Sequence, residues 1–249
     1  MPEATRDRET IWIIGASDGI GAALARAYAG RGARLVLSAR SEGRLEALAE
    51  SLGPDHVVVP LDVADRKSVQ RAADRVALLG PIDRVLTLAA IYDPGKVTEI
   101  DPDTAARIVQ VNLTGTLNVA QAAVPVLRPG GQLVLTGSVA GYVGLPQGQI
   151  YSATKAGVIN LAESLRAELK GRIDVRLLSP GFVDTRLTGK NDFTMPAVLQ
   201  PDEAAAAIVA GLDRKAFEIH FPRRLTLALK LLRVLPYGAA LPLTARLVR

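Results

Sequence analysis

The sequence predicts an α/β fold, a doubly wound, seven-stranded parallel sheet with helices on both faces. Three observations carry this. Short apolar runs of strand type alternate with longer segments of helical period along most of the chain, and such alternation implies parallel pairing through right-handed crossovers. The first apolar run breaks at a glycine-rich turn that opens into an alanine-rich helical segment. The polar residues able to do chemistry fall at strand carboxyl ends, where ligands bind in such sheets. With 249 residues, 49% of them hydrophobic, the chain suits one large core and is too apolar to be globally disordered.

The first strand spans residues 10–14, Thr-Ile-Trp-Ile-Ile, and residues 15–21, Gly-Ala-Ser-Asp-Gly-Ile-Gly, interrupt it before a helix at 22–31. Glycines in that setting let a backbone approach a pyrophosphate. The free N–H groups and dipole of the helix start favour the anion. Further strands are expected at 34–39, 56–60, 84–89, 132–137, 174–178 and 217–221. Helices are expected at 44–52, 67–79, 102–127, 149–170 and 201–214. Pro102 and Pro201 suit a first helical turn, where a missing N–H costs little. Gly15, Ala39, Asp62, Ala89, Ser138 and Ser179 stand at strand ends and should converge on one crevice. No internal linker appears, so residues 1–222 read as one dinucleotide-binding and catalytic domain, and 223–249 as a basic amphipathic tail.

Tyr151 and Lys155 lie four apart in a helical segment, which puts both side chains on one face. A phenol alone keeps its proton to about pH 10 and is a poor base near neutrality. A lysine charge beside it favours the phenolate. The pair is therefore expected to make Tyr151 a general acid/base, with Ser138 thirteen residues upstream as a partner.

Composition removes other chemistries. The chain has no cysteine, which excludes disulfides, thiolate metal sites and cysteine nucleophiles, and its two histidines, His56 and His220, are too scattered for a histidine-rich metal site; no metal is expected. Residues 1–9 are charged and lack the apolar core of a signal peptide, and no apolar run is long enough to span a membrane. A cytoplasmic protein is expected.

These motifs, in this order along roughly residues 10–221, resemble the short-chain dehydrogenase/reductase family in its compact single-domain branch, with a Rossmann-type sheet. Residues 15–21 match the family's glycine turn. Leu61-Asp62-Val63 matches the segment that holds the adenine. Val111-Asn112-Leu113-Thr114-Gly115 matches a helix whose asparagine organises a water near the lysine. Thr136-Gly137-Ser138 matches the catalytic serine, and Tyr151 with Lys155 the catalytic pair. Pro180-Gly181-Phe182-Val183-Asp184-Thr185 is similar to the nicotinamide-amide segment. The resemblance implies catalytic roles for Ser138, Tyr151, Lys155 and Asn112. It implies cofactor contacts from Gly15, Ser17, Asp18, Gly19, Ile20, Gly21, Asp62, Val63, Ala89, Tyr151, Lys155, Pro180, Val183 and Thr185. Two segments depart from the family pattern. Thr87-Leu88-Ala89-Ala90 replaces Asn-Asn-Ala-Gly after the fourth strand, and Ile14 replaces a threonine before the glycine turn.

The expected activity is an NAD(P)(H)-dependent interconversion of a ketone and a secondary alcohol. The strand before Arg40 ends Leu37-Ser38-Ala39, so Ala39 stands where an acidic residue would bind the ribose 2′-hydroxyl of NAD. Arg40 with Ser38 could instead pair with a 2′-phosphate, which favours NADP(H), while Asp18 in the glycine turn argues against it. The substrate wall is expected from Ile91, Tyr92, residues 141–145 and residues 186–199, including Leu187, Phe193 and Met195. It is mostly apolar and points to a hydrophobic small-molecule substrate. Residues 223–249 carry six basic residues and no acid, more than the net +5 of the whole chain. The body is thus near neutral, and no nucleic-acid surface is implied. Arg223, Thr226, Lys230 and Arg233 share one helical face, with leucines over the rest. Segment 223–235 therefore suits either peripheral contact with an anionic membrane or a packed role, as a subunit interface or a lid on the body. A homodimer or homotetramer is expected. The alternatives are a non-catalytic dinucleotide-binding sensor and a membrane-associated scaffold.

Overall fold

A computed structural model describes residues 8–190 and 195–246. Seven parallel strands form one sheet in the order β3-β2-β1-β4-β5-β6-β7. They are β1 (Thr10–Ile14), β2 (Arg34–Ser38), β3 (Val57–Val58), β4 (Ile82–Thr87), β5 (Leu127–Thr136), β6 (Asp174–Pro180) and β7 (Glu218–Phe221). The helices are α1 (Gly19–Ala29), α2 (Glu42–Leu52), α3 (Arg66–Ala77), α4 (Pro102–Val109), α5 (Gly115–Ala123), α6 (Gln149–Glu168), α7 (Pro201–Leu212), α8 (Arg223–Val234) and α9 (Tyr237–Thr244).

Strand side chains alternate between faces, and the core divides accordingly. Ile11, Ile13, Leu35 and Leu37 pack with residues of α1 and α7, whereas Trp12, Ile14 and Val36 pack with residues of α3, α5 and α6. The run of helical character at 102–127 is not one helix. α4 passes into α5 through a π turn at Gln110–Thr114, and α5 stops at Ala123. Pro125 lacks the N–H that another turn would need. β5 then starts at Leu127, five residues before the expected 132.

The departures near β4 are absorbed locally. Thr87 Oγ1 donates to the Val134 carbonyl at 3.2 Å, tying β4 to β5, and Ile14 is fully buried. His56 accepts the Leu35 N–H at 3.2 Å, and His220 meets Thr226 at 2.7 Å. The tail segment packs on the body: Thr226 and Leu229 of α8 are buried, and Lys230 pairs with Glu218. The helical face that carries Thr226 and Lys230 is therefore turned toward β7.

Candidate active site

Because the strands are all parallel, their carboxyl ends share one edge, and a crevice of about 590 Å³ runs along it. The β1–α1 turn shapes one wall. Gly15 has φ +94°, and a Cβ there would lie 2.6 Å from the Ala89 nitrogen; a Cβ on Gly21 would lie 2.1 Å from the Gly15 carbonyl oxygen. Neither position can carry a side chain, so the turn lies hard against the end of β4 and Gly19, Ile20 and Gly21 are brought to the crevice wall. The first N–H groups of α1 have no partner within the helix. Asp18 takes one of them, accepting from Gly19 at 2.7 Å. Its other oxygen faces Arg186 at 3.3 Å and Arg44 at 3.8 Å.

Gly15, Ser17, Asp18, Gly19, Ile20, Gly21, Arg40, Asp62, Val63, Ala89, Ser138, Tyr151, Lys155, Pro180, Val183 and Thr185 all line this crevice. Two expected residues do not. Ser38 is fully buried, donating to the Val59 carbonyl at 2.6 Å and accepting from Trp12 Nε1 at 2.8 Å. Its hydroxyl is committed to the sheet, which removes it as a phosphate ligand. Asn112 is also fully buried, in the π turn. Its side chain accepts from the Ile91 N–H and donates to the Ile91 carbonyl, both at 2.9 Å, and its own carbonyl accepts from Thr116. Asn112 thus positions the segment after β4, and its amide does not reach the crevice.

At the end of β5, Ser138 Oγ accepts from Ala140 N–H at 3.1 Å and lies 3.4 Å from the Pro180 carbonyl. Tyr151 and Lys155 project from α6. Lys155 is 3% exposed; its Nζ donates to the Thr136 carbonyl at 2.8 Å and sits 5.6 Å from the Tyr151 ring centroid. Burial lowers the Lys155 pKa to about 8. Burial raises Tyr151 to about 12, against a smaller downward pull from its hydrogen bond with Ser138. This runs against the expected direction for the phenol: the Lys155 ammonium lies against the ring, and loss of solvent sets the sign of the shift. The ring of Tyr92 meets that of Tyr151 edge-on, with centroids 4.8 Å apart. Burial alone would raise the Asp62 pKa, but the Ala64 N–H and Arg107 hold its carboxyl below the usual range.

A side cavity of about 120 Å³ adjoins the crevice, and Tyr92, Ser138, Tyr151, Leu187 and Thr188 line both. Its other walls come from Leu145, Pro146, Phe182, Pro196 and, from α8, Leu225 and Leu229. The expected wall is corrected in part. Tyr142 turns inward to donate to Glu218, and residues 141–144 and Met195 line neither cavity; Phe193 lies outside the described residues. Sequence reading missed Leu225 and Leu229, whose four-residue spacing was the available signal. It also missed Arg44 and the hydroxyl of Ser152, which is buried in the side cavity without a hydrogen-bond partner, and it put Arg186 on the substrate wall, whereas Arg186 lines the large crevice.

Comparison with known proteins agrees with this geometry. The family model described as short chain dehydrogenase matches residues 9–195. An uncharacterised oxidoreductase of Staphylococcus aureus (strain USA300) is 34% identical over 208 residues, covering 81% of this chain and 90% of that protein. Among solved structures, an alcohol dehydrogenase from the archaeon Thermococcus sibiricus, complexed with 5-hydroxy-NADP, superposes with a TM-score of 0.80 at 30% identity, covering 86% of this chain and 96% of that one. A short-chain dehydrogenase from Sphingobium yanoikuyae, in complex with NADPH, gives a TM-score of 0.80 at 29% identity, covering 96% of each chain.

Proposed function

The chain belongs to the short-chain dehydrogenase family, and on that premise we propose that it interconverts a ketone and a secondary alcohol with a nicotinamide dinucleotide, NADP(H) in preference to NAD(H). The observation that carries the reading is the position of Tyr151 and Ser138, which line both the large crevice and the apolar side cavity. A group held in one and a group held in the other can therefore meet beside these two hydroxyls.

The crevice suits a dinucleotide. The glycine turn leaves no room for a Cβ at Gly15 or Gly21, the start of α1 favours a pyrophosphate, and Asp62 and Val63 stand at the adenine end. Lys155 Nζ would donate to the ribose hydroxyls. When bound, the nicotinamide supplies or accepts a hydride at the substrate carbon. In reduction, Tyr151 gives its proton to the carbonyl oxygen, and a phenol raised to about 12 is fully protonated at neutral pH. Ser138 Oγ hydrogen-bonds that oxygen and stabilises the charge developing on it. The side-cavity lining of Leu145, Phe182, Leu187, Leu225 and Leu229 supports a hydrophobic substrate, with Ser152 Oγ as a polar point within it.

For the cofactor, Ala39 offers no carboxylate to a 2′-hydroxyl, while Arg40, Arg44 and Arg186 line the crevice with the carboxylates of Asp18 and Asp62, the latter already paired with Arg107. Three guanidinium groups against two acids, one of them held by a fourth guanidinium, that of Arg107, favour a phosphate at that end, as does the NADP named in both of those solved complexes. Titration with NADPH and NADH, followed by nicotinamide fluorescence in wild type and Arg40→Ala, tests this. Tighter binding of NADPH that weakens roughly tenfold or more in the variant, the scale of one charge-assisted contact, is expected. Preference for NADH, or an Arg40→Ala variant with unchanged NADPH affinity, contradicts it.

A further inference from the structure

The outer face of α8 has apolar side chains where a water-facing helix would normally have polar ones. Leu227, Leu231 and Val234 are 56%, 62% and 76% exposed, and their spacing of four and three sets them in one stripe. Immediately beyond, Tyr237 and Leu241 of α9 are 82% and 59% exposed. Large exposed apolar residues on the described part of the molecule concentrate here, and a contiguous patch of this kind marks an interaction surface. Arg223 and Arg224 fall on either side of the stripe at helical spacing, and Arg233 and Arg246 are exposed as well. No acidic residue occurs after Glu218. Lys230, the remaining described cation of the segment, is turned inward onto Glu218.

We propose that this face docks the protein on an anionic lipid surface, lying along it. No helix among the described residues is long and apolar enough to cross a membrane, whereas an apolar stripe flanked by arginines matches an interfacial helix. The like charge of the patch disfavours a second copy of the chain as the occupant. A two-fold contact would set the same arginines against each other with no acid between them. The opposite side of α8 lines the side cavity with Leu225 and Leu229, so a docked molecule holds that cavity about one helix diameter, ~10 Å, from the lipid.

The test is co-sedimentation of the full-length protein with vesicles of phosphatidylcholine mixed with phosphatidylglycerol, and with vesicles of phosphatidylcholine alone. NADPH titration and light scattering are run on every variant. Binding to the mixed vesicles is expected, weakening as salt rises. Arg223→Gln with Arg224→Gln should lower partitioning by roughly fivefold per arginine removed, and Leu227→Glu with Leu231→Glu should abolish it, both variants keeping NADPH affinity. The proposal is overturned if wild type ignores the mixed vesicles, binds both vesicle types equally, or binds as before with both leucines replaced. It is overturned equally if the leucine variant halves the particle mass while wild type shows no vesicle binding, since the patch is then a subunit contact. Should the leucine variant lose NADPH affinity through misfolding, the arginine variant alone decides.

Discussion

Lys155 is buried with its ammonium on the Thr136 carbonyl, and its pKa falls from 10.5 to about 8. Folding thus penalises the charged amine, although Lys155 stays protonated below pH 8. The cost of the charge is felt in full below pH 8 and fades as pH rises toward 10.5. Lys155→Met is therefore expected to stabilise the cofactor-free protein at pH 7, on the order of 2–3 kcal/mol, with the gain shrinking at pH 10. Thermal unfolding at the two pH values checks it, and a destabilised variant at pH 7 contradicts it. Tyr151 has the opposite sign. Its phenol, raised from 10.0 to about 12, contributes stability below pH 10 that is lost as pH climbs through 12. In reduction, kcat/KM should hold level below pH 8 and fall above it as Lys155 loses its proton. Lys155→Arg should move that limb upward, and a limb that stays in place removes Lys155 from the mechanism. The Tyr151/Lys155 pair was legible from its spacing, but the direction of the phenol shift was not, because desolvation depends on everything packed around the ring. Ser38 was misread for a similar reason: nothing in Leu37-Ser38-Ala39 announces that Trp12, from a neighbouring strand, occupies its hydroxyl.

At the scale of elements, the π turn between α4 and α5 sets Asn112 against Ile91. Apolar periodicity showed one helix over 102–127 because a π turn inserts a single residue without a compositional mark. Pro125 was the available sign that α5 stops early. Asn112→Ala leaves the Ile91 N–H and carbonyl without their side-chain partner, a loss of about 1–3 kcal/mol. It should loosen residues 89–92, which line the crevice. The expected result is weaker NADPH binding with kcat within severalfold of wild type. A kcat drop of about a hundredfold or more, on the scale of a lost proton-transfer group, with NADPH binding intact would instead place Asn112 in proton transfer, the role that the family resemblance implied. The tail divides in the same way between legible and hidden. Its charge could be read directly, but which face of α8 meets β7 is decided by Thr226 on His220 and Lys230 on Glu218, contacts between segments that sequence spacing does not reveal.

For the molecule as a whole, one topological fact organises the site. In an all-parallel sheet of order 3-2-1-4-5-6-7, the direction in which successive strands are added reverses between β1 and β4, and the crevice opens at that switch point. This much was readable, because each motif sits at a strand end and the strands could be counted. The side cavity was less so, since Tyr92, Leu145, Phe182, Pro196 and Leu229 come from separate stretches of chain. On the proposed mechanism, Tyr151, at the junction of the two cavities, exchanges a proton with the substrate oxygen while hydride moves between cofactor and substrate. Initial rates of NADPH consumption across a panel of hydrophobic ketones, for wild type and Tyr151→Phe, test it most directly. Turnover in wild type that falls by about 10²–10⁴ in a variant with unchanged NADPH affinity is the predicted result. Equal turnover in the two proteins would contradict it.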